Sequence, residues 1–173
     1  GQSLGAAWYL PEERQIVRTE QILDEMCAAL GGRAAEKVVF NKISTGALSD
    51  LEKVTKQARA MVTIYGLNEK IGNLTYYDSA QSDYSFTKPY SEKTAHLIDE
   101  EISKIIEEQY QRAIDILTEN KDKLTTLANL LLDREVIFRD DLENIFGKRK
   151  FKDPHNSNEE ETPLKTENPS PTE

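Results

Sequence analysis

The sequence is poor in the residues from which self-contained chemistry is usually built. Its 173 residues hold one cysteine, Cys27, and two histidines, His96 and His155. One thiol forms no internal disulfide, so a small stapled scaffold is excluded. One cysteine and two distant histidines are also too few for a Cys/His zinc site assembled within the chain. Nor is either histidine placed to act as the buried base of a Ser-His-Asp or Cys-His arrangement. His96 shares a helix face with Glu100, Ser103 and Glu107, which reads as the solvated side, and His155 falls in a polar tail. Basic charge is short as well: 22 Lys and Arg stand against 31 Asp and Glu, a net charge of -9. A phosphate-backbone footprint needs the opposite balance, so no nucleic-acid partner is expected. No apolar run approaches the roughly 18 residues that span a bilayer, and the first 30 residues lack a signal peptide's basic start and apolar centre. The chain is expected to be soluble. Its glycines at 31, 32 and 46 do not form a Walker or dinucleotide spacing.

What is present is helical periodicity. Thr19 reads as an N-cap, followed by Ile22, Leu23, Met26, Cys27 and Leu30 at helical spacing, with Gly31-Gly32 as the stop. Cys27 lies on that apolar stripe and reads as core. A short helical stretch follows over residues 33–40, then a loop over 41–48 carrying Ser44, Thr45 and Gly46. Ser49 is expected to cap a helix through Leu51, Val54, Ala58, Met61, Val62 and Tyr65 that Gly66 ends. Residues 71–88 are ambiguous, with a possible strand over 74–77 and an exposed loop after it. From Ser91, a second N-cap, a long amphipathic helix runs to about Thr118, turning Ile98, Ile102, Ile105, Ile106, Tyr110, Ala113, Ile114 and Leu117 inward. Another helix spans residues 121–132, and Asp140 is expected to cap a last short one containing Leu142, Ile145 and Phe146. The predicted fold is mainly α, a helical bundle with one short β element near the N-terminus. That element is residues 4–10, Leu-Gly-Ala-Ala-Trp-Tyr-Leu, closed by Pro11.

The expected organisation is one helical domain over residues 1–147, then a basic cluster and a tail over 148–173. The cluster Lys148-Arg149-Lys150-Phe151-Lys152 reads as a solubilising end of the domain rather than a membrane or RNA contact. From Pro154 onward the chain holds four of its six prolines, five glutamates and almost no large apolar residue, a composition expected to be disordered.

One stretch carries a specific pattern. Gly31-Gly32-Arg33-Ala34-Ala35-Glu36, then Ser44-Thr45-Gly46-Ala47-Leu48-Ser49-Asp50-Leu51, then Thr55, Ala58-Arg59, Met61-Val62 and Tyr65-Gly66 resembles the peptidase (M41-type) domain of FtsH-type AAA+ zinc metalloproteases. The resemblance begins at Leu4-Gly5-Ala6-Ala7 and Tyr9-Leu10-Pro11 and continues through Ile98-Asp99-Glu100-Glu101 to Leu131-Leu132, covering about residues 1–147.

The resemblance implies a zinc ion held by two histidines of an H-E-x-x-H helix and a carboxylate of the Ser-Thr-Gly-Ala-x-x-Asp segment, which by position is Asp50. Two imidazoles and one carboxylate leave an open position for water, whose pKa zinc lowers to about 7. The glutamate of the H-E-x-x-H helix then serves as general base. This sequence contains no H-E-x-x-H, and in the family that motif lies upstream. The expectation is therefore a C-terminal piece of a longer protease, by itself inactive, with no catalytic residue of its own and with Asp50 as third ligand. Without the resemblance, Asp50 is a first-turn carboxylate favoured by the helix dipole; both roles are compatible. Glu36 has two readings of equal standing: a partner that orients one of the absent zinc histidines, or an ordinary glutamate near Arg33. Thr45 and Gly46 are expected to shape the loop that aims Asp50. Gly5, Ala6, Ala7 and Trp8 are candidates for a strand edge to which extended substrates add through backbone hydrogen bonds.

For the whole protein the resemblance implies an upstream membrane anchor and an AAA+ module using ATP and Mg²⁺. It further implies a homo-hexamer that degrades unfolded membrane and short-lived cytosolic proteins at the cytoplasmic face of a bacterial inner membrane. Organelle members share the motif, so a mitochondrial or plastid origin stays open. The rival reading is a non-catalytic helical assembly module, favoured by the missing base and ligands and disfavoured by Asp50 in its full motif setting.

Overall fold

The structure is a computed structural model that describes residues 16–77 and 89–148. The β element expected over residues 4–10, with Gly5, Ala6, Ala7 and Trp8, lies outside the described residues, as do the loop after residue 77 and the tail from Pro154. Helices dominate what is described: α1 (Thr19–Ala29), α2 (Gly31–Phe40), α3 (Leu48–Thr63), α4 (Glu92–Glu119), α5 (Lys121–Arg134) and α6 (Arg139–Phe146), with one 3₁₀ turn at Thr45–Ala47. No strand occurs among the described residues. Residues 74–77 run as irregular chain, tied to the end of α3 by the Tyr76 amide, which donates to the Thr63 carbonyl at 2.8 Å.

The chain divides into two compact units, one through Lys121 and one from Asp122. In the first, α1, α2 and α3 all pack on α4. The predicted periodicity is what makes this possible, because residues three and four apart share a helix face. Met26 and Leu30 of α1 and its end, Val54, Ala58, Met61 and Val62 of α3, and Ile98 and Ile102 of α4 form one buried cluster, joined by Ile71. Cys27, Ala34 and Ala113 form a second. Tyr65, expected inward, is exposed because α3 ends two residues earlier and Gly66 (φ 63°) then turns the chain through the left-handed region.

Four expected helix boundaries shift, for related reasons. Gly31-Gly32 does not stop the chain but opens α2. Leu30 alone separates the two helices, accepting from the Ala34 amide at 3.0 Å while donating to Met26 at 3.0 Å, and neither glycine has a positive φ. Thr19 is the first helical residue rather than the cap; the Arg18 amide ahead of it donates to Gln21 Oε1 at 2.9 Å. Asp140 is likewise internal, and Asp141 Oδ2 accepts from the Phe138 amide at 3.0 Å. In both cases a side chain three residues on satisfies the free amide, so no Ser, Thr or Asp is needed at the cap itself. Ser49 lies inside α3, whose entry is organised by Ser44 instead. Ser91 does cap α4, its Oγ accepting from the Thr94 amide at 3.3 Å.

A polar network fastens the turn after α3. Asn68 Oδ1 accepts from the Lys70 and Ile71 amides at 3.0 and 3.1 Å, and its Nδ2 donates to Glu101 Oε2 at 2.8 Å. Lys70 Nζ meets Glu101 Oε1 at 2.5 Å. Glu101 is buried within α4, so these donors offset the cost of removing its charge from water. They also hold its carboxyl below the usual glutamate range, Asn68 first and Lys70 second.

The second unit is the pair α5 and α6, in which no residue is buried. Arg134 Nη1 reaches Asp141 Oδ1 at 3.0 Å, and the Lys123 ammonium lies 5.9 Å from the Phe146 ring centre. Among the described residues no helix is long and apolar enough to cross a membrane.

Candidate metal-ligand segment at the entry to the third helix

The segment that carries the sequence pattern is a turn between two helices. Helix α2 ends where Asn41 adopts a left-handed backbone (φ 51°), a conformation its short polar side chain tolerates. The Asn41 side chain also accepts from Lys37 Nζ at 2.8 Å. Three residues later Ser44 is gripped from α2. Its amide donates to Glu36 Oε2 at 2.9 Å and its hydroxyl donates to Glu36 Oε1 at 2.5 Å. Ser44 Oγ then accepts from the Gly46 amide at 3.2 Å, a local Ser turn. The 3₁₀ turn follows at once, Ala47 buries itself, and α3 begins at Leu48.

Asp50 stands in the first turn of α3, half-buried. The exposed amides of that turn make the position favourable for a negative charge. Its carboxylate has no hydrogen-bond or ion-pair partner among the described residues. Glu36, in contrast, has both oxygens engaged. Its carboxyl is held below the usual glutamate range by the Ser44 hydroxyl first and the Ser44 amide second, with Arg33 adding a smaller pull. The arrangement thus joins Glu36, Ser44, Gly46 and the start of α3, the helix that carries Asp50, in one chain of contacts.

The structure brings no histidine to Asp50 among the described residues. His96 is exposed on α4 with Nε2 3.3 Å from Glu100 Oε1, and His155 lies outside the described residues. No group of three or more His, Cys, Asp or Glu residues able to hold a metal occurs among the described residues. Asp50 therefore fits one oxygen ligand of a zinc site, whereas the described residues do not make the site. Cys27 is buried, which pushes its thiol up in pKa; Arg112 opposes the shift and Asp24 adds to it. Such a thiol is a core group rather than a ligand.

Comparison with known proteins shows the family. Residues 1–145 match the model of peptidase family M41. The chain belongs to this family. The M41 chain is 65% identical over 149 residues to the "ATP-dependent zinc metalloprotease FtsH" of Parabacteroides distasonis, covering 86% of its own length and 22% of that protein. It is 46% identical over 150 residues to the "ATP-dependent zinc metalloprotease FTSH 3, mitochondrial" of Arabidopsis thaliana, covering 87% and 18%. It is 43% identical over 151 residues to the "Mitochondrial inner membrane m-AAA protease component AFG3L2" of Mus musculus, covering 87% and 19%. The chain thus spans about a fifth of the length of the curated relatives it matches.

Sequence reasoning left Ser44 without a role in this M41 segment. The signal was there in part: a Ser two residues before a Gly is a Ser-turn pattern. Its pairing with Glu36, eight residues earlier, depends on how the Asn41 turn closes.

Proposed function

We propose that this chain is the C-terminal part of an ATP-dependent, membrane-anchored zinc endopeptidase and that Asp50 is the third protein ligand of its zinc. The observation that carries the reading is the place of Asp50 in the first turn of α3, without a hydrogen-bond or ion-pair partner among the described residues, in a chain that matches peptidase family M41. Relatives named as ATP-dependent zinc metalloproteases support it. Residues 1–147 then form part of the peptidase domain and 148–173 a tail. The two imidazole ligands and the catalytic glutamate come from an H-E-x-x-H helix that this sequence does not contain. When bound, zinc supplies a nucleophilic water at neutral pH and polarises the peptide carbonyl. Asp50 contributes negative charge to that site, and Gly5, Ala6, Ala7 and Trp8 are the candidates for aligning an extended substrate.

The whole protein would be a homo-hexamer using ATP and Mg²⁺ to thread unfolded membrane and short-lived cytosolic proteins. Its place would be the cytoplasmic face of a bacterial inner membrane; relatives from mitochondria support the same chemistry in organelles.

The test compares the full product of the encoding gene with its Asp50→Asn variant and with the 173-residue chain. Expected are about one zinc per chain and ATP-dependent casein cleavage for the full protein, loss of both in the variant, and neither in the 173-residue chain. Full zinc content and cleavage in the variant would overturn the ligand assignment. A full gene product without H-E-x-x-H would favour the rival, a non-catalytic assembly module.

A further inference from the structure

We infer that Glu36 is a positioning residue for the Asp50 carboxylate and that it acts through Ser44 rather than by touching the metal or its histidines. The inference rests on the reading of Asp50 as a zinc ligand and gives the atoms that aim it.

The argument starts from the hydrogen-bond inventory of Ser44. Its hydroxyl has one proton, which goes to Glu36 Oε1 at 2.5 Å, and its lone pairs then face the Gly46 amide at 3.2 Å. Its backbone amide goes to Glu36 Oε2 at 2.9 Å. Ser44 is therefore held at two points by one rigid carboxylate and passes that constraint to Gly46. Ser44 itself is extended (φ -119°, ψ -177°), the conformation of a cap, and the 3₁₀ turn it opens runs without a break into α3. Asp50 lies in the first turn of that helix, so the direction of its side chain is set by where α3 begins.

Among the described residues no other side-chain hydrogen bond or ion pair from another element anchors residues 42–47. Lys37 to Asn41 fixes the end of α2 but stops before the turn. The apolar residues Ile43 and Leu48 that flank it are exposed, and of residues 42–47 only Ala47, at the far end, is buried, so packing holds only the last residue of the turn. A loop with so little packing samples many conformations. The Glu36 carboxylate, charged and accepting two hydrogen bonds, is the group suited to select one of them. Both oxygens meet Ser44, so its contacts among the described residues serve the turn. A metal ligand is useful only when its oxygen is placed before the cation arrives, because a mobile ligand must be ordered on binding.

The experiment uses the full gene product, with variants Glu36→Gln, Ser44→Ala, Ser44→Thr and the double variant Glu36→Gln/Ser44→Ala. Asp50→Asn serves as reference. Two quantities are measured: zinc affinity by competition with a chelator, and hydrogen exchange by mass spectrometry of the metal-free protein in peptides covering residues 41–52. Glu36→Gln and Ser44→Ala are each expected to weaken zinc binding by about tenfold to a hundredfold, as for removal of an outer-shell partner. Exchange should speed up at residues 44–50 and not in α4. Ser44→Thr keeps the hydroxyl and is expected to behave as wild type. The double variant should be no worse than the weaker single one, since both cut the same contact. Wild-type zinc affinity or unchanged exchange in Glu36→Gln and Ser44→Ala, with Asp50→Asn defective, would overturn the inference while leaving the ligand assignment standing. Loss of affinity in Glu36→Gln with wild-type behaviour of Ser44→Ala would also overturn it, since Glu36 would then act directly. Zinc retained by Asp50→Asn would remove the ligand reading and the inference with it.

Discussion

Replacing Glu101 by alanine tests the polar network that ties the turn after α3 to α4. The side chain is only 6% exposed, whereas that of Lys70 is 56% exposed. Truncation removes the acceptor of Asn68 Nδ2, a buried donor at 2.8 Å. A hydrogen bond to a charged acceptor contributes about 1.5–3 kcal/mol, and stranding its buried donor falls in the same range. The partner ammonium faces water, so its ion pair adds under about 1 kcal/mol. Glu101→Ala is therefore expected to destabilise the chain by about 2–4 kcal/mol. With a urea slope of about 2 kcal/mol/M, the midpoint should fall by about 1–2 M. Far-UV circular dichroism follows the helices, and labelling of the single thiol, Cys27, reports independently on the first unit. The network also predicts a pH dependence. Because the folded carboxyl titrates below the usual glutamate range, held by Asn68 and then Lys70, the unfolded chain takes up its proton first. Stability from Glu101 is thus fully present above about pH 4.3, the ordinary glutamate value, and is lost as pH falls through the lowered folded value. Glu101→Gln, an isostere of the protonated acid, should differ from wild type at pH 7 and converge with it in acid. A Glu101→Ala midpoint unchanged within error, or a constant gap between wild type and Glu101→Gln from pH 7 to pH 3, would refute this account.

Two further predictions concern the core. Leu30, 1% exposed at the junction of α1 and α2, should cost about 2–5 kcal/mol when cut to alanine, read as a lower urea midpoint. Cys27 is buried with its thiol pushed up in pKa, so at pH 8 it should react with a disulfide reagent at least about tenfold more slowly in the native chain than in urea. Equal rates in the two states would show that the α1 face is open.

The helical class was legible because the apolar positions of α1, α3 and α4 repeat at helical spacing: of the residues so marked, Met26, Val54, Ala58, Ile98 and Ile102 are buried and Ile22, Leu51, Ile105 and Ile106 pack against them, while Tyr65 is exposed. The candidate site was legible in a different way. Asp50 emerged from a pattern of residue types around Ser44-Thr45-Gly46, and the M41 match supports the family to which that pattern points. Its environment did not emerge: Glu36 is drawn to Ser44, a partner that neither reading of that residue named. Helix starts were misplaced by one or two residues where Gln21 or Asp141, three positions in, satisfies the free amide instead of the residue at the cap.

The sequence alone determined which faces are apolar, where the long helices run, that Cys27 belongs inside, and that no H-E-x-x-H is present. Those properties depend on neighbours within one or two helical turns, and periodicity reports them directly. Only the tertiary structure decided that Glu101 is buried against Asn68, 33 positions earlier, that Glu36 holds Ser44, and that Asp50 is left without a side-chain partner among the described residues. Each of these depends on how turns close and helices stack, which brings together groups that no local spacing relates.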